Sequence, residues 1–466
     1  MMKFVATLAL GVALISISYA SPVRKTRFQC PPAEEIHPCT CSTHPKKIVK
    51  CEDVKSLEII RKALEHRFEV PLPTLFITNV LTFQLPHHAF SNIPAKKLVL
   101  NGSNIRQIHD DAFDGQDTLG FLILTKDRLT DIPTDALKRL PHLKTLSLSG
   151  NFIMRIAEES LTDIISLKFL FLSENRISHI EKNAFPENLE VLMLHKNLIT
   201  AMNGSVNGLN NLEHLSIENN RVTNVKNELN GLTKLRFLSL AGNNIFDIDG
   251  SFDDLVNLDS LNLAYNSLES VEDGLYSLKK LKTLNLSYNY ITDIDEDLFK
   301  NVNGIQNLDL SGNYMNDVCK TLRPLKDIQQ LILSNTNLKT IDYDCFKGMK
   351  NLVNLDLSQN ELTSIDAITG HMFPKLSHLY LQNNQLHVFR HGLKNLRNLK
   401  VLDISYNGMV TLKGHHLMHN THLEKFVIEG NPWECSDHLM EIFRDLEMRT
   451  TEVVGVPPCY LSKKVL

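Results

Sequence analysis

Leu146-Ser147-Leu148-Ser149-Gly150-Asn151-Phe152-Ile153-Met154-Arg155-Ile156 is one copy of a pattern that returns along most of the chain. Leu284-Asn-Leu286-Ser-Tyr-Asn289-Tyr-Ile291-Thr-Asp-Ile294 is another, and the shared form is L-x-L-x-x-N-x-φ-x-x-φ, where φ is apolar. First positions fall at Leu75, Leu98, Leu122, Leu146, Leu170, Leu192, Leu215, Leu238, Leu261, Leu284, Leu308, Leu331, Leu355, Leu379 and Leu402, spaced by 22 to 24 residues. A last copy opens at Phe426, and the asparagine position holds Asn in twelve copies, among them Asn151, Asn220, Asn313 and Asn431. L-x-L puts two apolar side chains on the inner side of a short strand. The asparagine turns the chain out of that strand, and its amide satisfies backbone groups that the turn leaves unpaired. Other apolar positions, such as Leu137, Leu140 and Leu143, fill the coil from the opposite side. One coil cannot bury a core alone, so stability comes from stacking neighbours. The expected fold is α/β: a curved solenoid, or horseshoe, with a parallel sheet on its concave face.

This reading overrides the length. A chain of 466 residues suggests about three ordinary domains, whereas the repeat makes one long domain over 75–430, with about 15 full copies. The remaining segments are 1–20, 21–74 and 431–466. Met1 to Ala20 reads as a signal peptide: Lys3 is basic, Phe4 to Ile17 is apolar, and Ser18-Tyr19-Ala20 offers small residues for cleavage. The apolar run is short for a membrane span of about 20 residues, and no later segment reaches that length. A secreted protein is therefore expected, in the extracellular space or matrix. Arg24-Lys25-Thr26-Arg27, just beyond, reads as a basic N-terminal arm, with a processing site as the alternative.

Eight cysteines stand at 30, 39, 41, 51, 319, 345, 435 and 459. An even count behind a signal peptide points to disulfides. Zinc is the competing reading for Cys30, Cys39, Cys41 and Cys51, which have His37 and His44 nearby, but a single residue separates Cys39 from Cys41. Cys319 and Cys345 lie in adjacent coils, where either a bridge or two buried thiols would fit.

A solenoid has two open ends, and both are marked. The four clustered cysteines precede the first copy, and Asn431-Pro432-Trp433-Glu434-Cys435 follows the last. With these features the chain resembles secreted extracellular leucine-rich-repeat proteins with cysteine-rich caps, over nearly all of its mature length. The resemblance implies the pairs Cys30–Cys41 and Cys39–Cys51, and Trp433 covering the last coil. Such C-terminal caps usually carry four cysteines; Cys435 and Cys459 alone form an abbreviated one, expected to pair. The opening Cys30-Pro-Pro-Ala-Glu-Glu-Ile-His-Pro-Cys39-Thr-Cys41 is also similar to arthropod proteins resembling the non-catalytic subunit of Oplophorus luciferin monooxygenase. That likeness implies a capped repeat protein without luciferase activity.

The chemistry reads as binding. The 49 Lys+Arg against 53 Asp+Glu give a net charge of −4, which disfavours nucleic acid as a partner. No nucleophile elbow, H-E-x-x-H helix, phosphate loop or dinucleotide fingerprint occurs. Asp309, Asp356 and Asp403 recur at one repeat position on the exposed strand, where they read as solvated, so the repeat explains them before any acid–base role does. His415, His419 and His422 would share a helical face, but no carboxylate or cysteine completes a ligand set. No enzyme, cofactor or metal is expected.

Residues flanking and between the two leucines should project from the concave sheet. Late coils place Ser260, Asn262, Thr283, Asn307, Asp309, Asn354 and Asp356 there, whereas early coils place Phe121 and Ile123, Phe169 and Phe171, Val191 and Met193. Phe237 extends the set beyond the polar strand of His214, Ser216 and Glu218. An apolar patch of this kind marks a contact surface for an extracellular protein partner, unless a cap, loop or second protomer covers it. A carrier of an apolar small ligand or lipid, and a non-catalytic subunit of a secreted enzyme complex, are the alternatives. Sequons at Asn101, Asn203 and Asn285 suggest glycosylation. Asn285 would lie on the concave face, so either it is unoccupied or the partner binds elsewhere.

Overall fold

The structure is a computed structural model that describes residues 28–315, 317–369, 373–389, 393–413, 416–457 and 460. The expected signal peptide and the basic arm lie outside these residues. Each copy contributes one strand, from Leu75–Thr78 to Lys425–Val427. Neighbouring strands pair in parallel with their first leucines in register: Leu146 with Leu170, Leu170 with Leu192, Leu192 with Leu215. The continuous sheet has nineteen strands, and the chain winds a single solenoid behind it.

Both apolar strand positions of each copy, leucine in most and isoleucine or phenylalanine in the rest, are removed from solvent, as are Leu137, Leu140 and Leu143 on the returning side. Leu284 and Leu286 are 1% and 0% exposed. Full burial of such a side chain contributes roughly 1.5–3 kcal/mol. Returning segments form short helical turns in places, such as Thr134–Lys138, Leu298–Asn301 and Cys319–Leu322.

The asparagines lock one coil to the next. Asn243 Oδ1 accepts the Val222 N–H at 3.0 Å, while Nδ2 donates to the carbonyls of Ile217 at 3.0 Å and Leu240 at 2.8 Å. All twelve asparagines repeat this triple contact, from Asn151 to Asn431. Each therefore satisfies one donor and one acceptor of the preceding coil together with a carbonyl of its own. The residue just before the asparagine takes a left-handed backbone conformation, which glycine fills at Gly150, Gly242, Gly312 and Gly430. At Gly312 a Cβ would come within 2.6 Å of the Tyr288 ring in the preceding coil, so a side chain there meets both strain and a clash.

Where the ladder lacks asparagine, other side chains stand in. Val80 N–H donates to Ser103 Oγ, and the Ser103 and Ile105 N–H groups donate to Asp127 Oδ1 at 2.8 and 3.1 Å. Asp127 Oδ2, which occupies the place of the donating amide, is buried without a partner. Burial pushes the carboxyl up to about 6, against the opposing pull of the Ile105 and Ser103 N–H groups.

Both ends are closed. At the N-terminus, Thr40–Ser42 and Ile48–Glu52 form an antiparallel hairpin whose second strand pairs in parallel with Leu75–Thr78. Cys30–Cys41 and Cys39–Cys51 are bonded there, and the helix Leu57–Leu64 buries Leu57, Ile60, Ala63 and Leu64. At the C-terminus, Trp433 packs against the core and its Nε1–H donates to the Ile428 carbonyl at 2.8 Å. Only two cysteines serve this end, yet it carries the helix Asp437–Met448, whose Ser436 side chain accepts from the Leu439 N–H. Leu439, Met440, Ile442, Phe443 and Leu446 of that helix are buried, and Glu452–Val454 adds a final strand. Cys435 is disulfide-bonded, while its expected partner Cys459 lies outside the described residues. Cys319 and Cys345 form the expected bridge between adjacent coils, with Cα atoms 4.5 Å apart. In chain-entropy terms, closing such a loop contributes about 2–4 kcal/mol.

Two outcomes are expected. Leu286→Asp inserts an unpaired charge into a fully buried position and should prevent accumulation of folded protein, as read by yield and circular dichroism; parent-like melting would place Leu286 outside the core. For Asp127, the folded pKa is raised, so its favourable contribution is complete below about pH 4 and is lost as pH rises through about 6. The shift corresponds to about 3 kcal/mol of destabilisation at neutral pH. Asp127→Asn should therefore raise the melting temperature by roughly 2 °C or more at pH 7.5, with the gain shrinking at pH 4.

Candidate binding face on the concave sheet

Two rows of side chains stand on the concave sheet, one just ahead of the first leucine and one between the two leucines. The first row contains Phe121, Thr145, Phe169, Val191, His214 and Phe237 in register. The second runs Val99, Ile123, Ser147, Phe171, Met193 and Ser216, starting one coil earlier than the first. Phe169, Phe171, Val191 and Met193 are half-buried and occupy adjacent strands, while Phe121 is 46% exposed. These four form one surface, as expected.

The expected patch is not continuous beyond them. The strand Thr145–Ser147 lies between Phe121–Thr125 and Phe169–Phe171, so Phe121 and Ile123 form a separate apolar site. Parallel strands lie about 4.8 Å apart, which puts Ile123 nearly 10 Å from Phe171 along the sheet. Val99, which is buried, and the half-buried Phe76 continue the row on the other side of Ile123, and Phe76 is an apolar position that the sequence reading missed. Phe237 is separated from Val191 by His214, whose ring centre lies 6.0 Å from that of Phe237.

The later strands carry a different device. Asn262, Asn285, Asp309, Asp356 and Asp403 each use Oδ1 to accept the N–H two residues on, at 2.9 to 3.1 Å. The Ser311 and Ser405 hydroxyls donate to the same oxygens of Asp309 and Asp403 at 2.6 Å. Burial raises the Asp309 carboxyl above its ordinary value. These side chains close the turn that leaves each strand, rather than being simply solvated. Ile123, Phe171 and Met193 in the early coils, and Ile332, Tyr380 and Val427 in the later ones, take the same position and carry no Oδ1 to serve that purpose.

The sequons fall at distinct places. Asn101 ends the strand Lys97–Asn101, and its Oδ1 accepts from the Thr125 hydroxyl at 3.1 Å. Asn203 is exposed with a left-handed backbone, its Nδ2 donating to the Ile180 carbonyl. Asn285 lies on the concave face as expected, five strands along from Phe169–Phe171. A glycan there would stand roughly 24 Å from the early aromatic pair. Of the C-terminal histidines, His415 lies outside the described residues, and His419 and His422 show no metal-binding arrangement with described residues. Among the described residues no helix is long and apolar enough to cross a membrane.

The leucine rich repeat family model matches residues 93–153, 117–177, 166–222, 187–245, 243–291, 256–315 and 326–386, together more than half of the chain. No curated protein matches the sequence. Among solved structures, a leucine-rich-repeat protein of Leptospira interrogans is similar at 24% identity and a TM-score of 0.70, with 80% of this chain and 93% of that one covered. A chain of the TLR13–ssRNA13 complex matches at 25% identity and 0.69, covering 82% of this chain. A chain of the Drosophila Toll–Spatzle complex matches at 19% and 0.68, covering 81%. This chain spans 57% of the length of each of the latter two. Register, ladder and family match agree: the chain belongs to the leucine-rich-repeat family.

Proposed function

We propose that the protein is a secreted, non-catalytic scaffold that binds another extracellular protein through the early strands of its concave face. One observation carries the reading. Phe171 and Met193 occupy, on adjacent strands, the position that Asn262, Asn285, Asp309, Asp356 and Asp403 use to close the turn, and with Phe169 and Val191 beside them they present apolar surface, whereas Ile332 and Tyr380 take that position singly between aspartate-bearing strands. Exposed aromatic and methionine side chains are the residues that anchor protein interfaces. Disulfides at 30–41, 39–51 and 319–345 support an oxidising compartment. Glycosylation at Asn285 and use of the early patch are compatible, because five strands separate them.

The structural neighbours include one complex with a protein and one with single-stranded RNA. The concave row of Asp309, Asp356 and Asp403 favours a protein here, since these carboxylates disfavour a phosphate backbone along the later strands. An accessory subunit of a secreted complex would use the same surface.

Phe169→Ala with Phe171→Ala should weaken partner binding at least tenfold, because truncating aromatic anchors costs roughly 2 kcal/mol or more. Binding is read by crosslinked capture from the source organism's extracellular fluid, followed by titration of the captured protein. Secretion and melting should stay close to the parent, since both rings face away from the core. Ser260→Ala with Gln330→Ala, on the later strands, serves as the control. Unchanged binding by the aromatic variant would move the site off this face; unfolding would make the rings part of the core.

A further inference from the structure

The two earliest full coils hold a histidine–aspartate cluster away from the concave face. The short strands Gln84–Leu85 and Gln107–Ile108 pair in parallel, and the His109 N–H donates to the Leu85 carbonyl at 3.0 Å. That register stacks His87-His88-Ala89-Phe90 of one coil beneath His109-Asp110-Asp111-Ala112-Phe113 of the next. Ala89, Phe90, Ala112 and Phe113 are buried, which fixes both turns and directs the polar residues outward. Asp111 becomes the centre of the group. Its Oδ2 lies 2.9 Å from His87 Nδ1, and its Oδ1 lies 2.8 Å from His109 Nδ1.

His88 adds a third imidazole, with Nε2 at 3.8 Å from Asp111 Oδ2. Its other nitrogen, Nδ1, faces Asp114 Oδ2 at 3.6 Å, and Asp114 Oδ1 is held by Arg139 at 3.0 Å. The rings of His87 and His109 have centroids 3.2 Å apart. Ligand atoms of His87, His109 and Asp111 all lie within 4.8 Å of one another.

We propose that His87, His109 and Asp111 form a binding site for one divalent transition-metal ion of the zinc class. A tetrahedral ion with bonds of about 2.0–2.1 Å needs ligand atoms roughly 3.3 Å apart, a spacing that small side-chain adjustments reach from the observed 2.8 and 2.9 Å. Two imidazoles and one carboxylate suit a borderline cation such as Zn²⁺, whereas Ca²⁺ requires six or more oxygens. His88 lies beside this trio, with Nε2 3.8 Å from Asp111 Oδ2 and Nδ1 facing the Arg139-anchored Asp114, so it supports Asp111 and leaves the fourth position to water. The ligands come from two coils, 22 and 24 residues apart, so no single-segment motif displays them.

The test uses the full secreted chain, purified without a histidine tag and stripped with chelator, then titrated with zinc chloride by calorimetry. One Zn²⁺ should bind per chain with a dissociation constant in the micromolar range or tighter. His109→Ala with Asp111→Asn should weaken it at least tenfold, His88→Ala should weaken it less, and the remote His66→Ala should leave it unchanged. Chelated parent and variants should melt alike, which separates loss of ligands from loss of fold, and calcium chloride should give no heat of binding at the same site. No zinc binding by the parent at about 100 μM, or binding by the His109–Asp111 variant at parent affinity, would overturn the assignment.

Discussion

The stack depends on the buried asparagine side chain. Turning the chain out of a strand in every coil leaves N–H and C=O groups facing neither solvent nor another strand, and an unpaired buried group costs about 1–3 kcal/mol. A single amide answers both polarities, with Oδ1 serving the coil before and Nδ2 bridging carbonyls of both coils, as at Asn243. Leucine burial supplies the larger energy, but it is non-directional and tolerates sliding. The ladder sets the spacing and the register in which those leucines meet, and hence which side chains share the concave face. Asp127 shows the requirement from the other side: a carboxylate can accept but not donate, and its second oxygen is left buried without a partner.

Much of this was legible in the repeat. Aligning the first leucines predicts the strand register, and the structure keeps it from Leu75 through Phe426. The same alignment also contained the interruption of the apolar patch, because Thr145 and Ser147 flank Leu146; reading the aromatic residues as a set obscured the polar strand between them. Other features depend on geometry that a one-dimensional pattern does not carry. The aspartates of the later strands looked solvated from their position, yet their Oδ1 atoms close turns two residues ahead. The left-handed position before each asparagine is visible where glycine fills it and hidden where Tyr265, Tyr288 or Tyr406 does. The histidines around Asp111 meet only because adjacent coils stack.

These features divide the molecule along its length. The early coils carry the apolar concave residues and the histidine–aspartate cluster; the later coils carry turn-closing carboxamides and carboxylates and the Cys319–Cys345 clamp. Because each coil contacts chiefly its neighbours, a change in one region is transmitted through the ladder rather than through a common core. The parallel sheet and capped ends back the early surface, an arrangement that would reduce the entropy lost if it binds a partner as proposed.

Hydrogen exchange on Asn243→Ala tests the ladder most directly. The substitution removes the acceptor of the Val222 N–H and the donor to the Ile217 and Leu240 carbonyls, leaving the leucines untouched. Protection should fall at least tenfold at Val222 and in the coils on either side, while Ile123 and the strand Val401–Asp403 keep parent rates. Parent-like protection at Val222 would show that leucine packing alone holds the coils in register and would contradict the account.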